Sequence, residues 1–182
     1  MTNGTAVTGD RIRPLPPLRG EQRRASAPDA HIWLSASAGT GKTQVLSARV
    51  FRLLLRGVEP AAILCLTFTK AGAAEMASRI SQRLAAWVRM KDRDLFTDLQ
   101  ALGEPGDPAQ RARARTLFAS VLDAPGGGLR IQTIHGFCQG LLAAFPAEAG
   151  LVPGFRPIEA REEAVLARST LAGMLVLSLI HI

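Results

Sequence analysis

Cysteine is scarce: Cys65 and Cys138 are the only two in 182 residues. They stand far apart and show no metal-ligand spacing, and each falls in an apolar stretch, Cys65 strand-like and Cys138 helix-like. Both are therefore expected as buried, reduced thiols, which suits the cytoplasm. Residues 1–30 lack the apolar core that a signal peptide needs. The most apolar run, residues 171–182, is too short to span a bilayer. It breaks off in Leu177-Ser178-Leu179-Ile180-His181-Ile182, so residues 176–182 are expected to be a truncated or non-native end. Lysine is confined to Lys42, Lys70 and Lys91, yet the formal net charge is +7 because arginine carries it. A basic balance suits a polyanion such as nucleic acid, although alanine- and arginine-rich chains also arise from biased base composition. With 47% hydrophobic residues there is material for one substantial core, and the composition speaks against wholesale disorder.

Residues 1–18, polar and then proline-rich, read as a mobile arm. A short helix is expected over 20–27, ahead of Pro28, and a short apolar strand over 31–35. The glycine-containing loop 36–41 leads into a helix carrying Val45, Leu46, Val50, Phe51, Leu53, Leu54 and Leu55, with Gly57 as its stop. The continuous apolar run 62–68 predicts a buried strand. A helix over 72–89 presents Met76, Ile80, Leu84 and Val88 at i,i+4 spacing. Residues 101–109 read as a loop and 110–123 as a basic amphipathic helix, broken by Pro125-Gly126-Gly127-Gly128. A third strand is expected over 129–134, a helix over 136–145, and another helix from about Glu159. Strands alternating with helices predict an α/β fold, a parallel sheet flanked by helices.

Chemistry concentrates at Ala36-Ser37-Ala38-Gly39-Thr40-Gly41-Lys42-Thr43. A strand, a glycine-containing loop and a helix are the context that a phosphate-binding loop requires. Gly39 and Gly41 let the backbone curl so that N–H groups converge on an anion, and the helix adds its positive dipole end. Lys42 is expected to reach the β- and γ-phosphates and the Thr43 hydroxyl to ligate Mg²⁺. Ala36 stands where the general pattern has its first glycine. Upstream lies Gln22, whose amide can pair with both N6 and N7 of adenine and so select ATP; an ordinary solvated helix glutamine is the alternative. Thr67, Thr69 and Lys70 follow a strand, where parallel sheets put ligand-contacting groups, and suit a phosphate backbone. Phe68 suits either base stacking or the core. His135 and Phe137 follow the third strand similarly. Arg111, Arg113 and Arg115 alternate along a helix and read as a solvated face rather than a DNA track.

Together these stretches resemble the UvrD-like helicases of superfamily 1, and within them the AddA type of helicase–nuclease. SASAGTGKT at 35–43 is similar to that family's alanine-initiated P-loop. LCLTFTKAGAAEM at 64–76 is similar to its motif Ia, and IQTIHGFC at 131–138 followed by LLAAFPAEAG to its motif Ib. Gln22 stands where the family has its adenine-reading glutamine. The resemblance covers roughly residues 15–170. Gly72 departs from it, since alanine is commoner there, and is expected to fray the helix start.

The resemblance implies a P-loop NTPase with a RecA-like sheet. It also implies ATP as ligand with Mg²⁺, held by Gln22, Ala36, Ser37, Ala38, Gly39, Thr40, Gly41, Lys42 and Thr43, with Lys42 and Thr43 catalytic. Thr67, Phe68, Thr69, Lys70, His135 and Phe137 are implied to touch DNA, with translocation 3′ to 5′ and an AddB-like partner. Residues 19–155 then correspond to the first part of a motor domain and 156–175 to the start of a helical region. Hydrolysis in this class needs an acidic pair after an apolar strand, and no Asp or Glu here ends such a run. Arginine fingers from a second domain are not evident either, so the chain alone is expected to be inactive. Two enzyme rivals remain, a UvrD-like repair helicase without a nuclease and a small P-loop NTPase. A non-catalytic nucleotide- or DNA-binding module is the rival outside the enzymes.

Overall fold

The computed structural model describes residues 13–37, 39–158 and 160–180. The elements run α1 (Gly20–Ala25), α2 (Lys42–Leu55), a 3-10 turn (Pro60–Ala62), β1 (Leu64–Thr67), α3 (Lys70–Arg89), α4 (Asp92–Ala101), α5 (Pro108–Asp123), β2 (Arg130–Thr133), α6 (Ile134–Ala144) and α7 (Ala160–Ile180). They fall into two units, Met1–Ile134 and His135–Ile182.

The core of the first unit lies where α2, α3, α4 and α5 meet. Phe51, Leu54, Ile80, Leu84, Trp87, Leu95 and Leu99 are all nearly or fully buried there. Each such side chain contributes about 1.5–3 kcal/mol of hydrophobic stabilisation. The Phe51 and Trp87 rings meet with centroids 5.1 Å apart and planes tilted by 53°. On α3 the apolar stripe runs Met76, Ile80, Leu84, Trp87, while Val88, expected in that stripe, is exposed. Helical geometry gives the reason: at 3.6 residues per turn Trp87 lies about 20° from the azimuth of Met76, and Val88 about 120° away.

Helix α2 stops where Gly57 is expected to stop it. With φ at +88°, Gly57 lets its own N–H reach the Leu54 carbonyl and the Val58 N–H reach that of Leu53. These paired bonds satisfy carbonyls the helix would otherwise leave open. Helix α4 is an addition to the elements expected from the sequence. Its signal is nonetheless present: Asp92 and Asp94 in the first turn, and Leu95, Leu99 and Leu102 at i,i+4,i+7, all three leucines buried. Asp107 caps α5 by accepting from the Gln110 N–H at 2.8 Å, with Pro108 at the first helical position.

β1 and β2 pair in parallel, Leu64 opposite Arg130 and Thr67 opposite Thr133. Cys65 and Ile131, opposite each other, pack against the core, whereas Leu64 and Leu66 on the other face of β1 are exposed. The fully buried strand expected over 62–68 is thus half-buried, because among the described residues helices cover one face. Residues 31–35 join no sheet. A strand exists by bonding to a neighbour's backbone, and among the described residues none runs beside this one. Trp33 is accordingly 94% exposed.

Residues 13–18, the described part of the expected mobile arm, are tied down. The Leu15 N–H donates to Asp98 Oδ1 at 2.9 Å, the Leu18 N–H to the Ala101 carbonyl at 3.0 Å, and Arg83 to the Arg13 carbonyl. In the second unit α6 leads through turns over 145–151 to α7, whose described side chains are exposed on every side. Cys138, on α6, is exposed rather than buried; Cys65 is partly buried, and burial pushes its thiol up. No helix of the described residues is long and apolar enough to cross a membrane.

Candidate functional site

The loop before α2 is shaped by two glycines in the left-handed region, Gly39 at φ +79° and Gly41 at φ +87°. Such angles are costly for any residue with a Cβ. Gly41 is the N-cap of α2 and brings no capping side chain, so the first-turn N–H groups face outward unsatisfied by the helix. Within the loop the Thr40 hydroxyl donates to the Ser37 carbonyl at 2.7 Å. The Lys42 ammonium donates back to the Ala36 carbonyl at 2.5 Å, which lays the cation along the loop it follows. The Thr43 hydroxyl, beside it, is exposed and makes no hydrogen bond among the described residues. Ala38 lies outside the described residues. A cradle of uncapped N–H groups, a cation and a free hydroxyl fits a magnesium-bound polyphosphate in charge and donor set. Among the described residues no cluster of three or more His, Cys, Asp or Glu could hold a metal by itself.

Gln22 comes to this loop from α1. A Cβ placed on Gly41 would lie 3.2 Å from Gln22 Nε2, so the amide group sits directly against the turn into α2. Its oxygen accepts weakly from the Arg19 N–H, at 3.3 Å. What holds α1 and the segment after it is a row of arginines on α2, absent from the sequence-predicted site. Arg49 reaches the Ala27 and Ala30 carbonyls, Arg52 the Arg23 carbonyl and the Ser26 hydroxyl, and Arg56 pairs with Asp29. Their i,i+3,i+7 spacing in and just after the largely apolar run 45–55 is the signal that could have found them.

The expected strand-to-helix step after β1 is also formed. Thr67 ends β1 and Thr69 caps α3, its hydroxyl accepting from the Gly72 N–H at 3.0 Å. This cap opposes the fraying expected of Gly72. Gly72 also leaves room for its neighbours, since a Cβ there would stand 3.0 Å from the hydroxyls of both Thr67 and Thr69. Phe68 is 86% exposed, so its side chain takes no part in the core, and Lys70 opens α3 with an exposed side chain. In the second unit His135 is exposed and Phe137 half-buried, both in the first turn of α6.

The arginines of α5 differ from the solvated face expected of them. Arg115 donates to the Trp87, Val88 and Met90 carbonyls at the end of α3 and to Asp92 at 2.6 Å; Arg111 donates to the Gly106 carbonyl and stands 3.7 Å from Asp92. The Arg115 hydrogen bond, helped by the charges of Arg115 and Arg111, holds the Asp92 carboxyl below its ordinary value. The Arg113 guanidinium lies against Gly57. Neither β1 nor β2 ends in a carboxylate; each ends in threonine.

Residues 18–177 match the UvrD/REP helicase N-terminal domain, and the chain belongs to that family. It is 34% identical over 152 residues to the ATP-dependent helicase/nuclease A-subunit of Latilactobacillus sakei, an alignment covering 83% of this chain and 15% of that relative. The protein of the same name from Lactobacillus acidophilus is 32% identical over 155 residues, 85% of this chain and 11% of the relative. That from Lactobacillus johnsonii is 42% identical over 71 residues, 39% of this chain and 6% of the relative. The chain thus spans 15% or less of the length of these relatives.

Proposed function

We propose that this chain is the ATP-binding beginning of the first, RecA-like motor domain of an AddA-like helicase–nuclease of double-strand break repair. The observation that carries the reading is the loop itself: Gly39 and Gly41 in left-handed conformations, an uncapped α2, Lys42 laid along the loop and the Gln22 amide against Gly41. The first-turn N–H groups of α2 receive the phosphates, and Lys42 exchanges its bond to the Ala36 carbonyl for the β- and γ-phosphate oxygens. Thr43 Oγ1 holds Mg²⁺, which supplies neutralisation of the charge that grows on those oxygens. Gln22 reads the adenine edge.

Thr67, Phe68, Thr69 and Lys70 after β1 contact DNA, as do His135 and Phe137 after β2. The threonines, Lys70 and His135 bind its backbone, and Phe68 stacks on a base. ATP binding and hydrolysis close and open the cleft to a second motor domain, so that the motor translocates 3′ to 5′ along single-stranded DNA, and an AddB-like protein is the partner. The names of the curated relatives favour this over a UvrD-like motor without a nuclease, which would use the same residues.

Lys42→Ala, in a full-length protein carrying this sequence, is expected to abolish ATP-driven unwinding while leaving DNA binding near wild type. A strand-separation assay beside a DNA titration reads both. Unwinding within a few-fold of wild type would refute the phosphate-loop reading.

A further inference from the structure

Helix α1 has six residues, too few to hold a helix in place by its own hydrogen bonds. Yet its Gln22 amide is set against the turn into α2. The chain of bonds that fixes it runs through the interior. Ser26, fully buried, gives its N–H to the Gln22 carbonyl at 3.0 Å and its hydroxyl to the Arg23 carbonyl at 3.0 Å. Arg52, itself buried, donates one terminal N–H to that same Arg23 carbonyl at 3.0 Å and to the Ser26 hydroxyl at 2.9 Å. The guanidinium is held in turn by buried Glu104, 2.7 Å from Arg52 Nε, whose second oxygen accepts from Gln110 Nε2 at 3.1 Å.

A buried ion pair is weak evidence for stability, because the lost hydration of both charges offsets their attraction. Its worth lies in geometry. The planar fork of arginine fixes direction as well as distance, and its bonds here end on the backbone that carries Gln22. Arg49 and Arg56, one helical turn to either side, fasten the segment that follows. We infer that Arg52, oriented by Glu104 and acting through Ser26, is a positioning residue for base selection: it fixes Gln22 relative to the phosphate loop. Arg52 touches neither base nor phosphate. The same helix that opens the phosphate site thereby sets the distance to the base reader.

This inference rests on Gln22 reading adenine, and the test separates the two. In a full-length protein carrying this sequence, the affinities of ATP, GTP and inorganic tripolyphosphate are measured for wild type, Gln22→Ala, Ser26→Ala, Arg52→Lys and the Gln22→Ala/Ser26→Ala double variant. Thermal melting of each variant checks folding. Ser26→Ala and Arg52→Lys are each expected to weaken ATP about five- to tenfold, the low end of a bidentate base contact, with GTP and tripolyphosphate unchanged. The double variant is expected to bind ATP no worse than Gln22→Ala. Parallel losses for all three ligands would overturn the inference, as would an unchanged ATP-to-GTP ratio in the Ser26 and Arg52 variants while Gln22→Ala narrows it. If Gln22→Ala itself leaves the ratio untouched, the adenine reading fails and the positioning role falls with it.

Discussion

Phe68 follows β1 with its ring in solvent. From the sequence a phenylalanine at the end of an apolar run suits the core as well as a stacking surface. At 86% exposed, its ring contributes almost nothing to packing among the described residues. Its neighbours divide the remaining work. Thr69 spends its hydroxyl on capping α3, whereas the Lys70 ammonium has no partner among the described residues. Replacing Phe68 and Lys70 together by alanine is therefore expected to weaken single-stranded DNA binding, by about 1–3 kcal/mol for the lost stack. Melting temperature and ATP affinity should stay at their wild-type values. Fluorescence anisotropy with a labelled oligonucleotide, beside a thermal melt, reads both. Unchanged DNA affinity with a lowered melting temperature would return Phe68 to a packing role.

At the scale of elements, arginine does more joining than solvating. The row on α2 fastens the segment 23–30, and Arg115 of α5 closes the carboxyl end of α3 while gathering Asp92 of α4. Because the Asp92 carboxyl is held below its ordinary value in the fold, the pair contributes most when Asp92 is ionised. The contribution is fully present above the unfolded aspartate value, near pH 4, and is lost as pH falls through the lower folded value. Asp92→Asn should thus lower the urea midpoint at neutral pH, with the gap from wild type closing progressively below about pH 4. A gap of constant size across that range would mean the pair contributes no charge-dependent stability.

The same elements show what a sequence can carry. Gly57 stops α2 as its pattern foretells, and the parallel pairing of β1 with β2 follows from the alternation of elements. Both depend on local chemistry or on periodicity. Helix α4 is hard to see because its leucines sit among charged and polar residues and carry a weak stripe. The apolar run 31–35 imitates a strand, but such a run forms one only if a partner lies alongside. Val88 falls off the buried stripe because steps of four residues drift around a helix of 3.6. The arginine row shows in the spacing along α2, but its partners, mostly backbone carbonyls, leave no side-chain pattern. At the site, the loop and the position of Gln22 are legible, but the contacts that hold Gln22 are not.

For the whole molecule the balance of parts sets what this chain can do by itself. Gly39 and Gly41 in left-handed conformations, the Lys42 cation and the exposed Thr43 hydroxyl are in place, which on the proposed reading is where a nucleotide binds. Turnover needs more. A carboxylate must hold the attacking water and the metal, and charge building on the transferred phosphoryl group must be met by arginine from across the cleft. Both described strands end in threonine, and in this class the arginines come from a second domain across the cleft. An arginine finger alone is worth about 10³–10⁵ in rate. The 182-residue chain is therefore expected to hydrolyse ATP at background rate. Among the described residues, the edges of the two-stranded sheet, with exposed Leu64 and Leu66, and the exposed Trp33 outside it favour self-association, so the measurement belongs at low protein concentration. Steady-state phosphate release, with and without single-stranded DNA and with Lys42→Ala as the blank, decides the matter. DNA-stimulated turnover that the Lys42 substitution removes would show that this chain already contains the water-holding carboxylate, and would move a self-sufficient small NTPase ahead of a motor that needs its second half.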